Sequence, residues 1–366
     1  MRRHYLDNLR WVTVASVVVY HALFMYTTAA GGLTLPPFSK VQYQDALQYL
    51  LYPWFMILLF IVAGMCSRYY LEKHTVKEFI SSRTRKLLVP STIGILLFGW
   101  IQGWVSMSMQ ENPAMPEEAP GFVRYLIMCL SGTSVLWFIQ MLWIYSMLLA
   151  LVRTKKDRLY GFSSKGGIIT ALLLGVPAYF AGQVLNTPVI SVYRFGIYGF
   201  AFFAGYYFFA HDEVIDRIAR FNIPLLVLSA ALGALYVYLH FGDNYAVMPV
   251  VGCLSAFAFA WITCLSLLGS FRKWFDRTGK FSSYMSSRSF GLYVFHYLTM
   301  SAAALALHRY TGLGALPSYL IITAAGFLGG IALYEIVRHI PFVRWCLLGM
   351  KKRKKDKEME KADVQG

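Results

Sequence analysis

An arginine and a histidine stand on one face of the first apolar segment, and both residue types can take part in group transfer. Arg10 and His21 are eleven positions apart in YLDNLRWVTVASVVVYHALFMY, the stretch from residue 5 to residue 26. Eleven residues make close to three turns of an α-helix, so the two side chains project from nearly the same side, about 16 Å apart along the axis. Asp7 lies one turn before Arg10 and can orient its guanidinium. The spacing predicts a polar stripe from the rim of a membrane helix to its interior.

A cationic rim with a histidine deeper in the same helix suits a ligand that is anionic at one end and reactive at the other. The planar fork of arginine binds phosphate well, and a neutral histidine can take the proton of a hydroxyl as it attacks a carbonyl. Thioesters of coenzyme A (CoA) combine phosphates, a narrow arm and a reactive acyl carbonyl. The residue types therefore favour an acyl-CoA site, with Arg10 at the phosphates and His21 as general base.

Ionisable side chains inside a bilayer are costly and mark a site, a pathway or a mutual pair. Beyond the first segment they lie at the end of the second apolar segment, before the third, about two turns into the ninth and near the end of the tenth: Arg68, Arg83, Arg85, Lys86, His296 and Glu335. We expect the four basic residues to bind CoA phosphates with Arg10, and we expect His296 and Glu335 to line or brace the channel. Gly64 allows a neighbouring helix to approach closely.

Each of these residues also has a structural interpretation. A rim arginine taken singly is often an anchor for lipid headgroups, and Trp137 suits the aromatic belt at a membrane interface as well as a supporting role. His296 can serve packing alone, and Glu335 can form an ion pair with Arg338. On the outer side an acceptor can meet charged and aromatic residues, namely Arg124, Arg194, Asp243, Arg309, Tyr193, Tyr245 and Tyr310. Aromatic residues, however, are common at any membrane interface.

Composition requires a bilayer around these residues. The chain has 366 residues, of which 57% are hydrophobic and 14% charged, and its mean hydropathy is +0.51, so a single water-soluble core is excluded. Lys and Arg alternate between connections in the way that the positive-inside rule requires if both termini are cytoplasmic. Apolar runs of spanning length predict an all-α polytopic membrane protein with about ten transmembrane helices, near 10–30, 47–67, 87–107, 134–152, 167–185, 194–210, 222–241, 247–268, 290–308 and 317–337.

The net charge of +16 follows from these topology signals and indicates membrane lipids, with no nucleic acid, as partners. Residues 1–349 are expected to form the transmembrane domain, and 350–366, which contains KKRKKDKEMEK, a disordered basic cytoplasmic tail. A cleaved signal peptide is the competing interpretation of the first segment, but the length of the apolar run favours a retained helix. The five cysteines lack metal or disulfide spacing, so no metal is predicted.

Several motifs, taken in order, resemble the membrane acyltransferase 3 family. YLDNLRWVTVASVVVYH is similar to the first-helix signature of that family, and FIVAGM, RTRKLLVP, LWFI, GLYVFHY and LYEIVRHIPFVRWCLLG are similar to its later landmarks. The resemblance implies an O-acyltransferase in the cell membrane, expected to be a bacterial cytoplasmic membrane. Such an enzyme passes an acetyl or succinyl group from cytoplasmic acyl-CoA to a hydroxyl of an extracytoplasmic glycan or glycolipid. Arg10 and His21 would be the central pair, with Arg83 and Lys86 at the basic spacing of the family.

Within that family the chain is similar to the compact stand-alone branch, such as periplasmic glucan succinyltransferases. A transporter or flippase for a glycan or lipid-linked substrate, without acyl transfer, is the alternative, because intramembrane His, Arg and Glu also form transport paths. The residues leave open the acyl group, the acceptor and the oligomeric state. They also leave open whether an acyl-histidine intermediate forms.

Overall fold

The computed structural model describes residues 3–30, 34–110, 119–153, 158–186 and 193–351, and every regular element in these ranges is a helix. The predicted all-α class is confirmed. Of the predicted tail 350–366, residues 352–366 lie outside the described ranges. In chain order the helices are α1 His4–Phe24, α2 Tyr43–Leu71, α3 Val76–Ser108, α4 Gly121–Ser131, α5 Ser134–Val152, α6 Arg158–Ser163, α7 Ile168–Ala181, α8 Phe195–Phe209, α9 Asp212–Ala219, α10 Asn222–His240, α11 Leu254–Trp274, α12 Lys280–Tyr310, α13 Ala315–Val337 and α14 Pro341–Leu348.

Seven of the described helices are long and apolar enough to cross a bilayer, namely α2, α3, α5, α10, α11, α12 and α13. Helices α4, α7 and α8 are apolar but shorter. Helix α1 has 21 residues, a length sufficient for a crossing, but its polar stripe lowers its hydropathy. A multi-pass membrane protein is thus supported, while the count of ten spans and the sides of the termini stay predictions.

Helix α1 begins at His4, earlier than the start of the predicted span 10–30. Its polar first turns are tied to the connection that follows α11. The Asn8 side-chain amide donates hydrogen bonds to the carbonyls of Phe275 and Arg277 at 2.7 and 2.8 Å. These carbonyls satisfy the Asn8 side chain inside the bundle. The helix can therefore include its polar first turns.

Helix α1 packs against α2, α11 and α12, and α2 packs against α8. Two glycines set the α2–α8 crossing. A Cβ atom added at Gly64 would lie 2.0 Å from the carbonyl oxygen of Phe202, and one added at Gly205 would lie 2.1 Å from that of Ile61. Only a residue without a side chain permits this backbone approach. The crossing holds the second half of α2 against α8.

Helix α3 contains two π-helical turns, Thr84–Leu88 and Pro90–Gly94. Pro90 has no N–H, so the carbonyl four residues before it loses its usual donor and the hydrogen-bond ladder shifts to wider turns. The first of these turns carries Arg85 and Lys86. Wider turns of this kind often accompany functional sites, and here they present the basic segment of the chain to a cavity.

Candidate active site

A cavity of about 930 Å³ lies among α1, α2, α3, α5, α12, α13 and α14. We call it the basic cavity, and the end of the bundle that contains it the basic end. No acidic residue is found among the described residues of its lining. Like charges in a medium of low dielectric repel one another strongly, so this lining favours a bound polyanion. Seven lining side chains are cationic: Arg10, Arg83, Arg85, Lys86, Arg338, Arg344 and Lys351.

Neutral groups hold several of these cations. Arg83 donates from Nη2 to the Ser67 hydroxyl at 3.1 Å, and Arg85 donates from Nε to the Gly349 carbonyl at 3.1 Å. In the described part of the chain, no hydrogen bond or ion pair engages the ammonium group of Lys86. Since these contacts leave the charges of Arg83, Arg85 and Lys86 uncompensated, the cavity keeps a strong attraction for phosphate.

The inner wall of the basic cavity is apolar and aromatic. Phe138 and Tyr293 line it, with their ring centroids 5.6 Å apart in an edge-to-face arrangement. The Tyr293 hydroxyl donates to the Val135 carbonyl, and the Tyr293 ring lies 6.2 Å from the ring of His296. Tyr293 therefore stands between the cavity and the histidine that lies one turn further along α12.

His21 and His296 form a direct contact, with Nδ1 of His21 3.1 Å from Nε2 of His296. His296 is fully buried, and its Nδ1 lies 3.0 and 2.8 Å from the carbonyl oxygens of Leu292 and Tyr293. Carbonyls only accept hydrogen bonds, so we infer that Nδ1 of His296 carries a proton and that its Nε2 accepts. His21 must then donate from Nδ1. This tautomer leaves the Nε2 lone pair of His21 free to act as a base or nucleophile.

One family match contains the histidine pair and most of the lining of the basic cavity. The sequence profile of the acyltransferase 3 family, described as an acyltransferase domain, matches residues 3–335. The chain belongs to the acyltransferase 3 family. No curated protein and no solved structure matches it significantly. The resemblance noted in the sequence is thereby confirmed, and family membership indicates a membrane acyltransferase.

The acyltransferase keeps its histidine pair beyond the end of the basic cavity. His21 is half-buried, and it is not among the described residues that line the cavity. Its ring makes edge contacts with Tyr20 and Tyr297, each with centroids 5.1 Å apart. Along α1, the lining reaches from Arg10 to Val14, so roughly 10 Å of helix separates its inner limit from His21.

Two carboxylates singled out in the sequence position arginines at the basic end. Asp7 forms an ion pair with Arg10, with 3.2 Å between Oδ1 of Asp7 and Nη2 of Arg10. Glu335 pairs with Arg288 at 2.7 Å and with Arg338 at 3.1 Å. Neither carboxylate lines the basic cavity. Both carboxylates therefore orient an arginine of the lining from outside the cavity, and the side chains of the lining remain cationic.

Arg68, which the sequence grouped with the phosphate ligands, does not line the basic cavity. Its guanidinium carbon lies 3.5 Å from the ring centroid of Tyr160, and its Nε pairs with Glu72 at 3.2 Å. Trp137 is also absent from the lining. Its ring packs 5.6 Å from that of Tyr198, so it supports α5 against α8. The structure does not bring the side chains of Arg68 and Trp137 to the cavity. The roles assigned to them from the sequence remain predictions.

Sequence reasoning missed the contribution of α14 and the residues after it. Arg344 is 2% exposed and lines the cavity, as does Lys351. Gly349 has a φ of +59°, and a Cβ atom there would lie 2.2 Å from the carbonyl oxygen of Arg85. This close approach locks the end of α14 against α3. The available signal was a basic residue within a short apolar helix that begins at Pro341.

Proposed function

We propose that this acyltransferase takes an acetyl or succinyl group from acyl-CoA held in the basic cavity and transfers it to a hydroxyl of a glycan or glycolipid. The proposal rests on the positions of Arg10 and His21 on one helix, α1. On α1, Arg10 lines a cavity with seven cationic side chains, and His21, three turns further on the same face, is bonded to His296. Phosphate binding and proton transfer are thereby aligned along one axis.

The basic cavity suits both parts of CoA, its phosphates and its pantetheine arm. Its cations match the diphosphate and the ribose phosphate of CoA, and the free ammonium of Lys86 offers an uncompensated charge to one of them. Its apolar inner wall suits the narrow pantetheine arm. Because Tyr293 stands between the cavity and His296, the arm reaches His21 only when this ring moves aside.

The chemistry follows from the inferred tautomers. Nε2 of His21 takes the proton of the acceptor hydroxyl while the hydroxyl oxygen attacks the thioester carbonyl. The carbon–sulfur bond then breaks, and the sulfur leaves as the CoA thiolate and takes the proton from His21. His296 accepts a hydrogen bond from Nδ1 of His21 throughout, which stabilises the transient imidazolium. Alternatively, the same Nε2 lone pair attacks the carbonyl first and forms an acyl-histidine, which the hydroxyl then cleaves.

We further propose that the basic end faces the cytoplasm, in a chain of ten spans with both termini inside a bacterial cytoplasmic membrane. The support is the alternation of Lys and Arg along the sequence, together with the gathering of seven cations at one end of the bundle. Cytoplasmic acyl-CoA then enters the basic cavity directly. The acceptor approaches His21 from the opposite end of α1.

The donor site is tested by the effect of CoA on the thermal unfolding of purified protein. CoA should raise the Tm, because it binds only the folded state. Lys86→Ala should weaken apparent CoA affinity about 10-fold, the usual worth of one charge-assisted hydrogen bond. Lys77→Ala is the matched control, since Lys77 is an exposed lysine of the same helix outside the lining. If CoA has no effect on the parent protein, the transporter alternative is favoured.

The chemical step is tested with labelled acetyl-CoA and succinyl-CoA. His21→Ala should keep the CoA-dependent rise in Tm but lose acyl transfer and CoA-thioester hydrolysis. Full activity in this variant would exclude His21 as the base. Acid quenching during turnover, followed by mass spectrometry of the peptide around residue 21, distinguishes the acyl-histidine route from direct transfer.

A further inference from the structure

A small cavity at the end of the bundle opposite the basic end is lined by hydrogen-bond donors that have no acceptors. Arg194 precedes α8, a helix of roughly 22 Å whose other end leads to Asp212, the partner of Arg3 at the start of α1. Around Arg194, the lining includes Tyr52, Tyr236 and Tyr245. We call this cavity the tyrosine–arginine pocket. It has room for about one water-sized group.

Three donors in this pocket are unused in the described part of the chain. Arg194 is 7% exposed; it donates from Nη2 to the Val251 carbonyl at 3.3 Å and lies beside the Tyr198 hydroxyl, but its Nε has no partner and no carboxylate pairs with it. Tyr236 is fully buried, and its hydroxyl is also unpaired. No described residue bonds to the Tyr52 hydroxyl. Two of the three, Nε of Arg194 and the hydroxyl of Tyr236, are buried. Buried donors without acceptors destabilise a fold, so their position around one positive charge indicates a place for an anion.

The tyrosine–arginine pocket adjoins the catalytic histidine through one aromatic residue. The rings of Tyr52 and Tyr20 are 5.8 Å apart, and those of Tyr20 and His21 are 5.1 Å apart. Tyr245, which lines the pocket, donates its hydroxyl hydrogen to Gln48 and therefore accepts a hydrogen bond from Tyr20 at 3.2 Å. These contacts fix the direction of the Tyr20 hydroxyl. Tyr20 therefore contacts both a residue of the pocket lining and His21.

We propose that the tyrosine–arginine pocket binds an oxyanion, a carboxylate or a phosphate, that belongs to the acceptor. The inference rests on the proposed function and names the acceptor class as an anionic saccharide or glycolipid. Arg194 supplies charge and the Nε donor, and the hydroxyls of Tyr52 and Tyr236 supply the other two hydrogen bonds. The available room admits one oxygen of the charged group and leaves the rest of the acceptor outside the pocket. The pocket therefore selects the acceptor by its charge and orients the hydroxyl that is acylated.

The test is thermal unfolding of the purified protein with small probes. Glucuronate and glucose 6-phosphate should raise the Tm, whereas glucose should not. Arg194→Gln should weaken apparent affinity for both anions at least about 10-fold and leave the CoA-dependent shift unchanged. Arg309→Gln is the matched control, because Arg309 is an exposed arginine at the same end of the bundle. Inorganic phosphate and micelles that contain phosphatidylglycerol are the comparison arms.

A second variant separates binding from folding. Tyr236→Phe removes a buried hydroxyl that has no partner, so the ligand-free Tm should hold or rise while the shift caused by the anionic sugars falls. Tyr238→Phe, on the same helix but 84% exposed, should change neither. The proposal is overturned if Tyr236→Phe lowers the ligand-free Tm, which would show a structural hydroxyl.

Three further outcomes also decide against the pocket. They are an equal shift with glucose, a larger shift with inorganic phosphate than with either sugar anion, and occupancy by phosphatidylglycerol alone. The proposed function has its own readout, since a parent protein without any CoA-dependent shift refutes the donor site and not the pocket.

Discussion

Replacement of His296 by alanine should slow acyl transfer without weakening the binding of acyl-CoA. His296 lies outside the lining of the basic cavity but 3.1 Å from Nδ1 of His21. It therefore acts as a positioning residue, through the base and not on the substrate. Without it, the Nδ1 proton of His21 loses its imidazole acceptor, and His21 keeps only its hydrogen bond to the backbone of Val17. The competing tautomer, in which Nε2 carries the proton and has no lone pair to offer, then becomes accessible.

The size of the effect follows from the change in the hydrogen bond during the reaction. Between neutral imidazoles the bond contributes about 1 kcal/mol, but once His21 has taken the hydroxyl proton it becomes charge-assisted and contributes about 1.5–3 kcal/mol. The contact is fully buried on the side of His296, so water does not replace the missing acceptor. The added stabilisation and the tautomer preference together predict a fall of about 10–100-fold in kcat.

The assay is steady-state transfer or thioester hydrolysis with labelled acyl-CoA. His296→Ala should lower kcat with an unchanged KM for acyl-CoA, and His296→Gln, which can present an amide oxygen to Nδ1 of His21, should recover part of the loss. His308→Ala is the matched control, because His308 lies on the same helix but is exposed. The CoA-dependent Tm of each variant verifies that it is folded.

Two results would refute the reasoning. One is a parental kcat in folded His296→Ala, which would mean that the tautomer of His21 is set without His296. The other is a raised KM for acyl-CoA at constant kcat, which would place His296 in donor binding.

Two further predictions concern stability. Gly64→Ala should lower the Tm clearly, by overpacking worth about 1–3 kcal/mol, because the new methyl carbon would lie 2.0 Å from the Phe202 carbonyl oxygen. Gly161→Ala, where no atom lies within 4 Å, should be neutral, and an equal loss in both variants would contradict the packing argument. Although burial opposes it, the hydrogen bond and charge of Arg3 hold the pKa of Asp212 below its usual range. This contribution to stability is therefore present above about pH 4 and lost as the pH falls through the folded-state pKa. A scan of Tm against pH should show a steeper acid loss in the parent than in Asp212→Asn.

The sequence alone determined the features that depend on helical period and on composition. Arg10 and His21 share a face because eleven residues make three turns, whatever the helix packs against. Hydropathy predicted the all-α membrane class, and the alternation of Lys and Arg predicted that Arg83 and Lys86 lie at the same rim as Arg10. The three cations of RTRKLLVP and Arg10, which the sequence grouped at one rim, do line one cavity.

Only the tertiary structure decided which of these groups meet. His21 and His296 are 275 positions apart, and nothing in either segment records that α1 and α12 pack together. Arg68 shares the rim but points to Tyr160 and Glu72, whereas Arg344 enters the cavity from a short helix after the last span.

The physical reason is that a helix presents every side of itself to its surroundings. Its own period sets only which residues share a side, while long-range packing sets which side meets which neighbour. Glycine-mediated approach and the need to satisfy buried polar groups then select among those packings. Where that need is left unmet, as at Arg194 and Tyr236, the structure alone exposes the unpaired donors on which the acceptor site is proposed.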